Sequence, residues 1–185
     1  TDVRPYVMDD SHNALVRDGN SIFIFEVAGL CIGHLGHLHH KLDDSHFAQI
    51  GRIDILTNCV SYDHMRRFMD DEERHWDRVH AVNVKGTMLG CQEALRHMIP
   101  QRYGRIITLV SDSAKIGATL ETAQSGAKGA IVAFSKSLAR EMARNEITVN
   151  AVCLGPTSES ADPPPGLSPE GWAAFMRLIP FRRPA

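Results

Sequence analysis

From Gly51 onward the chain alternates between short continuous apolar runs and longer stretches of helical periodicity. That alternation leaves few architectures open. Residues 53–57 form an apolar run ending at Asn58, which suits a strand buried on both faces. Residues 72–98 carry Val84, Met88, Cys91, Leu95 and Met98 at helical spacing, and Pro100 is expected to stop that helix. Residues 105–110 are a second buried strand. Residues 123–144 repeat the helical pattern through Ala127, Ile131, Phe134, Leu138 and Met142. Residues 148–153 give a third strand before a turn at Gly155-Pro156. Strand, helix, strand, helix, strand with short joints predicts an α/β chain, a Rossmann-like doubly wound parallel sheet covered by helices.

Composition sets the outer limits. With 185 residues, a net charge of -2 and 43% hydrophobic residues, the chain has neither the basic excess of a nucleic-acid binder nor a run long enough to span a bilayer. Asp2, Arg4, Asp9 and Asp10 interrupt any apolar leader, so no signal peptide is expected. Cys31, Cys59, Cys91 and Cys153 are widely spaced without a CxxC pair, which reads as reduced thiols in a cytoplasmic protein. A single domain over 1–185 is expected: a degenerate half at 1–50, a regular core at 51–157, and a loop with a short helix (169–178) over 158–185.

The first fifty residues are less regular. Residues 13–19 look like a helix end capped by Gly19, and Ser21–Val27 is a strand carrying Glu26 near its end. His34, His37, His39 and His40 follow without strong periodicity. With only Asp43 and Asp44 nearby as further ligands, a solvated polar loop is expected there and no metal site.

Several short motifs then converge. Asp54-Ile55-Leu56-Thr57-Asn58, Asn83-Val84-Lys85-Gly86, the strand from Gly104 to Ser111, Ser125-Gly126-Ala127-Lys128-Gly129, and Thr148-Val149-Asn150-Ala151 with Gly155-Pro156-Thr157 occur in order. Together they resemble the short-chain dehydrogenase/reductase family over roughly residues 45–160. The resemblance implies NAD-dependent hydride transfer by a tetrad of Asn, Ser, Tyr and Lys. It maps Asn83, Ser111 and Lys128 onto three of those roles. The tyrosine position, four residues before Lys128 and thirteen after Ser111, holds Gln124. An amide has no proton to exchange near neutral pH, and losing general acid–base catalysis costs about 10²–10⁴ in rate. Tyr103 is a stand-in from the wrong end of the central strand.

The cofactor half departs as well. The family holds pyrophosphate on a glycine-rich turn after the first strand, and no glycine precedes Gly19. The turn is expected near 6–10, where Asp9 and Asp10 would repel phosphate. Gly29, Gly33 and Gly36 mimic a fingerprint in another register. Glu26 stands where the resemblance puts the ribose-binding acid, and a solvated strand-end carboxylate is its plainer reading. From Glu26 to Asp54 there is space for one strand–helix–strand unit of about 30 residues, and the family needs nearly two. Val60 and Ser61 replace small residues beside the adenosine. The chain also stops before the family's final helix and strand.

The expectation is therefore an eroded, non-catalytic family member that binds no cofactor itself. It would assemble through 83–98 and 123–144 with an active paralogue that binds NAD, the alternatives being an oxidoreductase with another proton donor or a ligand-binding regulatory module. Among family members the text most resembles dehydrogenases of cyclic or aromatic 3-hydroxyacyl-CoA thioesters in anaerobic degradation. One arrangement of that kind pairs a degenerate subunit with a competent one.

Overall fold

The structure, a computed structural model, describes the backbone of residues 2–7 and 21–27 and the residues 29–35, 52–155 and 168–177. The chain divides into two compact units, Thr1–Cys153 and Leu154–Ala185. Strands β1 (Asp2–Val7), β2 (Ser21–Val27), β3 (Leu30–Leu35), β4 (Ile55–Asn58), β5 (Gly104–Ser111) and β6 (Ile147–Leu154) form one sheet in sequence order. β3 pairs parallel with β4 and β4 parallel with β5. With β6 they make the parallel four-strand sheet of a Rossmann-like α/β fold.

The N-terminal half is built differently. β1 and β2 are antiparallel, and so are β2 and β3, so a meander stands where the family resemblance implies strand–helix–strand units. Gly29 makes the reversal possible, since its φ of 78° lies where side chains are strained. Pro5 fits β1 because that strand is the sheet edge, where a missing N–H costs no ladder bond. The helix expected at 13–19 lies outside the described residues.

Asp54 ties β3 to β4. Fully buried, it accepts a hydrogen bond from the Cys31 N–H at 2.9 Å and is paired by Arg52 at 2.7 Å. The two backbones continue the stitch, as the Asp54 N–H donates to the Cys31 carbonyl. Along β5 every second residue is buried, Gly104, Ile106, Thr108 and Val110. Thr108 is a buried polar group that stays satisfied by the Ser135 hydroxyl at 3.2 Å and the Asn150 carbonyl at 3.3 Å.

The stretch 72–98 is not one uniform helix. It comprises α1 (Glu73–Val79), a π-helical segment (His80–Gly86) and α2 (Thr87–Gln101). Pro100 sits inside the last turn of α2 and does not end it. A proline that near the end removes one backbone donor, and the stop comes instead from Arg102, left-handed at φ 49°. After β5 come a single turn, α3 (Ser113–Ile116), and the long α4 (Thr122–Met142). Cys91, Ala94, Leu95 and Met98 of α2 and Met142 of α4 pack in one core with Leu56, Ile106, Ile147 and Val149 of the sheet. Each Leu, Ile, Val or Met among them contributes about 1.5–3 kcal/mol. Gly104 belongs to this packing, because a Cβ there would overlap the Met98 side chain. In the second unit α5 (Pro169–Met176) starts with Pro169 at its first position, and the Ser168 hydroxyl accepts the Gly171 N–H at 3.1 Å.

Candidate active site

Ligands of open α/β sheets sit outside the carboxyl ends of the strands. Here the segment 59–63 leaves β4 at that edge, and four side chains fasten it. Asn58 accepts the Val60 N–H at 3.1 Å. Lys128, only 4% exposed, donates its ammonium to the Val60 carbonyl at 2.9 Å. Asn83 accepts the Tyr62 N–H at 2.7 Å and donates to the Tyr62 carbonyl at 2.8 Å. The amide nitrogen of Gln124, turned toward Asp63, donates to its two carboxylate oxygens at 2.8 and 3.1 Å.

Local structure explains each placement. The π-helical segment widens the helix at Asn83, which is fully buried. Gln124 and Lys128 lie four apart on α4 and so share a face. Ser111 ends β5. Its hydroxyl accepts the Ser113 N–H at 3.2 Å and donates to the Asp112 carboxylate at 3.3 Å, so it stabilises the turn into α3.

The electrostatics are those of a half-buried, acid-rich crevice. Burial raises the Asp63 carboxyl above the ordinary range, against the pull of the His64 N–H and of charge on His75 and His64. Glu121 is raised too, by burial and then by Asp63 and Asp112. Burial lowers the Lys128 ammonium, while Cys59 and Asp63 partly restore it. Burial raises the Cys59 thiol more than Lys128 lowers it, so this is no activated nucleophile.

A neighbouring cluster went unread in the sequence. Asp71 holds His75 Nδ1 at 2.8 and 2.9 Å and accepts the Trp76 indole N–H at 2.8 Å. Burial would raise Asp71, but these bonds and the Glu72 N–H outweigh it and hold the carboxyl low. The available signal was the four-residue spacing of Asp71 and His75 at a helix start. The cluster fixes the entry into α1.

Other sequence candidates lie elsewhere. Glu26 pairs with Cys31 at the end where β3 begins, so the register carries it away from Asn58 and Ser111, and a ribose role does not fit. Tyr6 lies in the edge strand β1, with β2 and β3 between it and β4, and residues 8–10 of the expected turn are outside the described residues. Gly29 is in a hairpin and Gly33 inside β3, while Gly36, Asp9 and Asp10 are outside the described residues. Val60 is buried with a methyl 3.5 Å from where a Cβ on Gly86 would lie, so it packs inward and does not obstruct an adenosine. Tyr103 precedes β5 under the Arg105 guanidinium, remote from Ser111. His34 pairs with Thr57 in the sheet, and His37, His39 and His40 are outside the described residues. Among the described residues no group of three His, Cys, Asp or Glu could hold a metal, and no helix is long and apolar enough to cross a membrane.

Comparison with known proteins settles the lineage. A family profile described as short chain dehydrogenase matches residues 39–162. The chain belongs to the short-chain dehydrogenase family. A 3-oxoacyl-[acyl-carrier-protein] reductase of Chlamydia pneumoniae is 33% identical over 95% of this chain and 61% of its own length. A (2S)-[(R)-hydroxy(phenyl)methyl]succinyl-CoA dehydrogenase subunit of Thauera aromatica is 38% identical over 57% of this chain and 42% of its own. An NAD+-bound xylitol dehydrogenase superposes with a TM-score of 0.68 at 26% identity, covering 77% of this chain and 60% of the other. The chain thus spans less than two thirds of these relatives. NAD belongs to the family's chemistry. Among the described residues, Glu26 pairs with Cys31 at the opposite end of β3 from the segment 59–63, and Lys128 donates to Val60.

Proposed function

We propose that this chain is a non-catalytic, structural subunit of a hetero-oligomeric NAD-dependent 3-hydroxyacyl-CoA dehydrogenase, and that an active paralogue supplies the NAD site and the turnover. The observation that carries the reading is Gln124 at the tyrosine position, bonded to Asp63. The retained Asn83 and Lys128 support it, because both are engaged in holding 59–63, a structural task that survives loss of chemistry. The likeness to a succinyl-CoA dehydrogenase subunit supports the acyl-CoA class and the subunit role, in the manner of the (hydroxy(phenyl)methyl)succinyl-CoA dehydrogenase of anaerobic toluene degradation. A cytoplasmic heterotetramer is the form expected.

The contact faces proposed are those of 83–98 and 123–144, though not through every apolar side chain they carry. Leu95 and Met142 are buried in the chain's own core and Leu138 packs on it. The exposed side chains that could meet a partner include Met88 on α2 and the small residues Ala130 and Ala133 on α4. Co-expression with a tyrosine-bearing paralogue, followed by size-exclusion chromatography and a 3-hydroxyacyl-CoA oxidation assay, tests the reading. A hetero-oligomer whose activity depends only on the partner's tyrosine is expected. NAD-dependent turnover by this chain alone would overturn it.

One observation favours a second reading, an oxidoreductase with another proton donor. The Asp63 carboxyl, raised by burial, lies at the tyrosine position's side of the crevice. Turnover abolished by Asp63→Asn would identify it.

A further inference from the structure

The loops leaving β4 and β5 flank the crevice in which a sheet of this kind takes a ligand. In this chain the loop leaving β4 is tied at successive points to α4 and to the turn that precedes it. Deepest is Lys128 to the Val60 carbonyl at 2.9 Å. Farther out, the Gln124 amide meets the Asp63 carboxylate at 2.8 and 3.1 Å. Beyond that, the Arg66 N–H donates to the Leu120 carbonyl at 2.9 Å, joining the two loops backbone to backbone. Leu120 makes this last bond with φ at 71°, a left-handed conformation that a leucine rarely adopts. Such strain persists only where the surroundings over-determine it.

We propose that Gln124 and Asp63 form an autoinhibitory latch that closes the crevice between the 59–63 segment and α4. The proposal goes beyond the subunit reading and stands without it. A ligand moving in between α4 and the 59–63 segment must first break the amide–carboxylate bond. Once that bond is broken, the strain at Leu120 favours release of the Arg66 N–H. The substitution at position 124 therefore adds a closure as well as removing a proton donor. Lys128 remains as the hinge-side anchor, because its bond to Val60 involves neither latch residue.

Two probes on the full chain report the state of the latch. One is hydrogen exchange at the Arg66 amide. The other is N-ethylmaleimide labelling of half-buried Cys59 in a Cys153→Ser background, where Cys31 and Cys91 are buried. Gln124→Ala should raise both rates about tenfold or more, the equivalent of about 1.4 kcal/mol, which is within the range of a hydrogen bond to a charged group. Asp63→Asn should raise both rates by less than Gln124→Ala does, since its amide oxygen still accepts from Gln124 but without the charge. Leu120→Gly should not raise Arg66 exchange, as it relieves strain and keeps the carbonyl. Exchange at Ile106 in β5 is the reference for global opening. The latch is overturned if Gln124→Ala shifts both rates by less than about twofold. It is equally overturned if Ile106 accelerates in step with Arg66, or if wild-type Arg66 already exchanges like an unprotected amide.

Discussion

The ammonium of Lys128 reaches from α4 to the carbonyl oxygen of Val60 at 2.9 Å, beneath the crevice. Two effects oppose each other at that bond. A hydrogen bond to a charged donor contributes about 1.5–3 kcal/mol. Against it stands the burial that lowers the ammonium's pKa. Lys128→Met keeps the packing and removes both effects, so its cost should not exceed about 1 kcal/mol. Lys128→Ala adds a cavity and should cost about 2–4 kcal/mol. Urea unfolding of the two variants checks the ordering, and equal costs would refute it.

Asn83 carries a heavier structural duty. It satisfies both backbone groups of Tyr62, and Asn83→Ala leaves a partly buried N–H and carbonyl without their partner. The expected loss is about 2–4 kcal/mol. Asn83→Asp should rescue little, because a carboxylate can accept from the Tyr62 N–H but repels the carbonyl. Thermal unfolding measures both.

The acids of the crevice set a pH dependence. Asp63 and Glu121 have folded-state pKa values raised above 3.8 and 4.5 respectively. The folded chain therefore binds protons more tightly than the unfolded chain just above those values. Stability should fall as pH rises through that window toward neutrality. Asp63→Asn removes part of the dependence, so it should stabilise the chain at neutral pH and have little effect near pH 3.8. A stabilisation that instead grows on acidification would show that another group dominates.

Restoring the missing phenol should not restore turnover. In Gln124→Tyr the new hydroxyl faces the Asp63 carboxylate that now meets the amide. A nearby anion disfavours the phenolate, which opposes the assistance Lys128 would give. No NAD-dependent oxidation of a 3-hydroxyacyl-CoA is expected from the single variant. Activity at a level comparable to a competent paralogue would sink both this argument and the subunit reading.

The parallel half of the sheet was readable because every strand from β4 on is a continuous apolar run and both long helices keep their period. The meander was not. β1 contains Pro5 and charged residues, and β3 is interrupted by Gly33 and His34, so neither shows an alternation that marks a strand. Gln124, Asn83 and Lys128 were found by carrying the family's tetrad onto the motifs that resemble it. Asp63 was missed because its meaning depends on the loop returning to α4, a contact between residues sixty apart. Exposure on the helices was misjudged for a similar reason. Periodicity tells which positions share a face, but not that α2 and α4 turn Leu95, Leu138 and Met142 toward one common core.

That distinction fixes how assembly should be probed. Leu138→Glu places a carboxylate against the core, so it should unfold the chain itself by several kcal/mol and say nothing about a partner. Ala133 is exposed on α4, and Ala133→Glu should leave the isolated chain's melting temperature nearly unchanged. If α4 packs against the paralogue, the same glutamate becomes a buried, unpaired charge in the complex. Its desolvation then costs several kcal/mol, enough to shift a stable interface to dissociation at micromolar concentration. Size-exclusion chromatography of the co-expressed pair should show a hetero-oligomer for the wild type and separate species for Ala133→Glu, with circular dichroism confirming an intact fold. A variant that stays assembled would remove α4 from the interface, and a wild-type chain that remains a stable monomer beside its paralogue would remove the interface altogether.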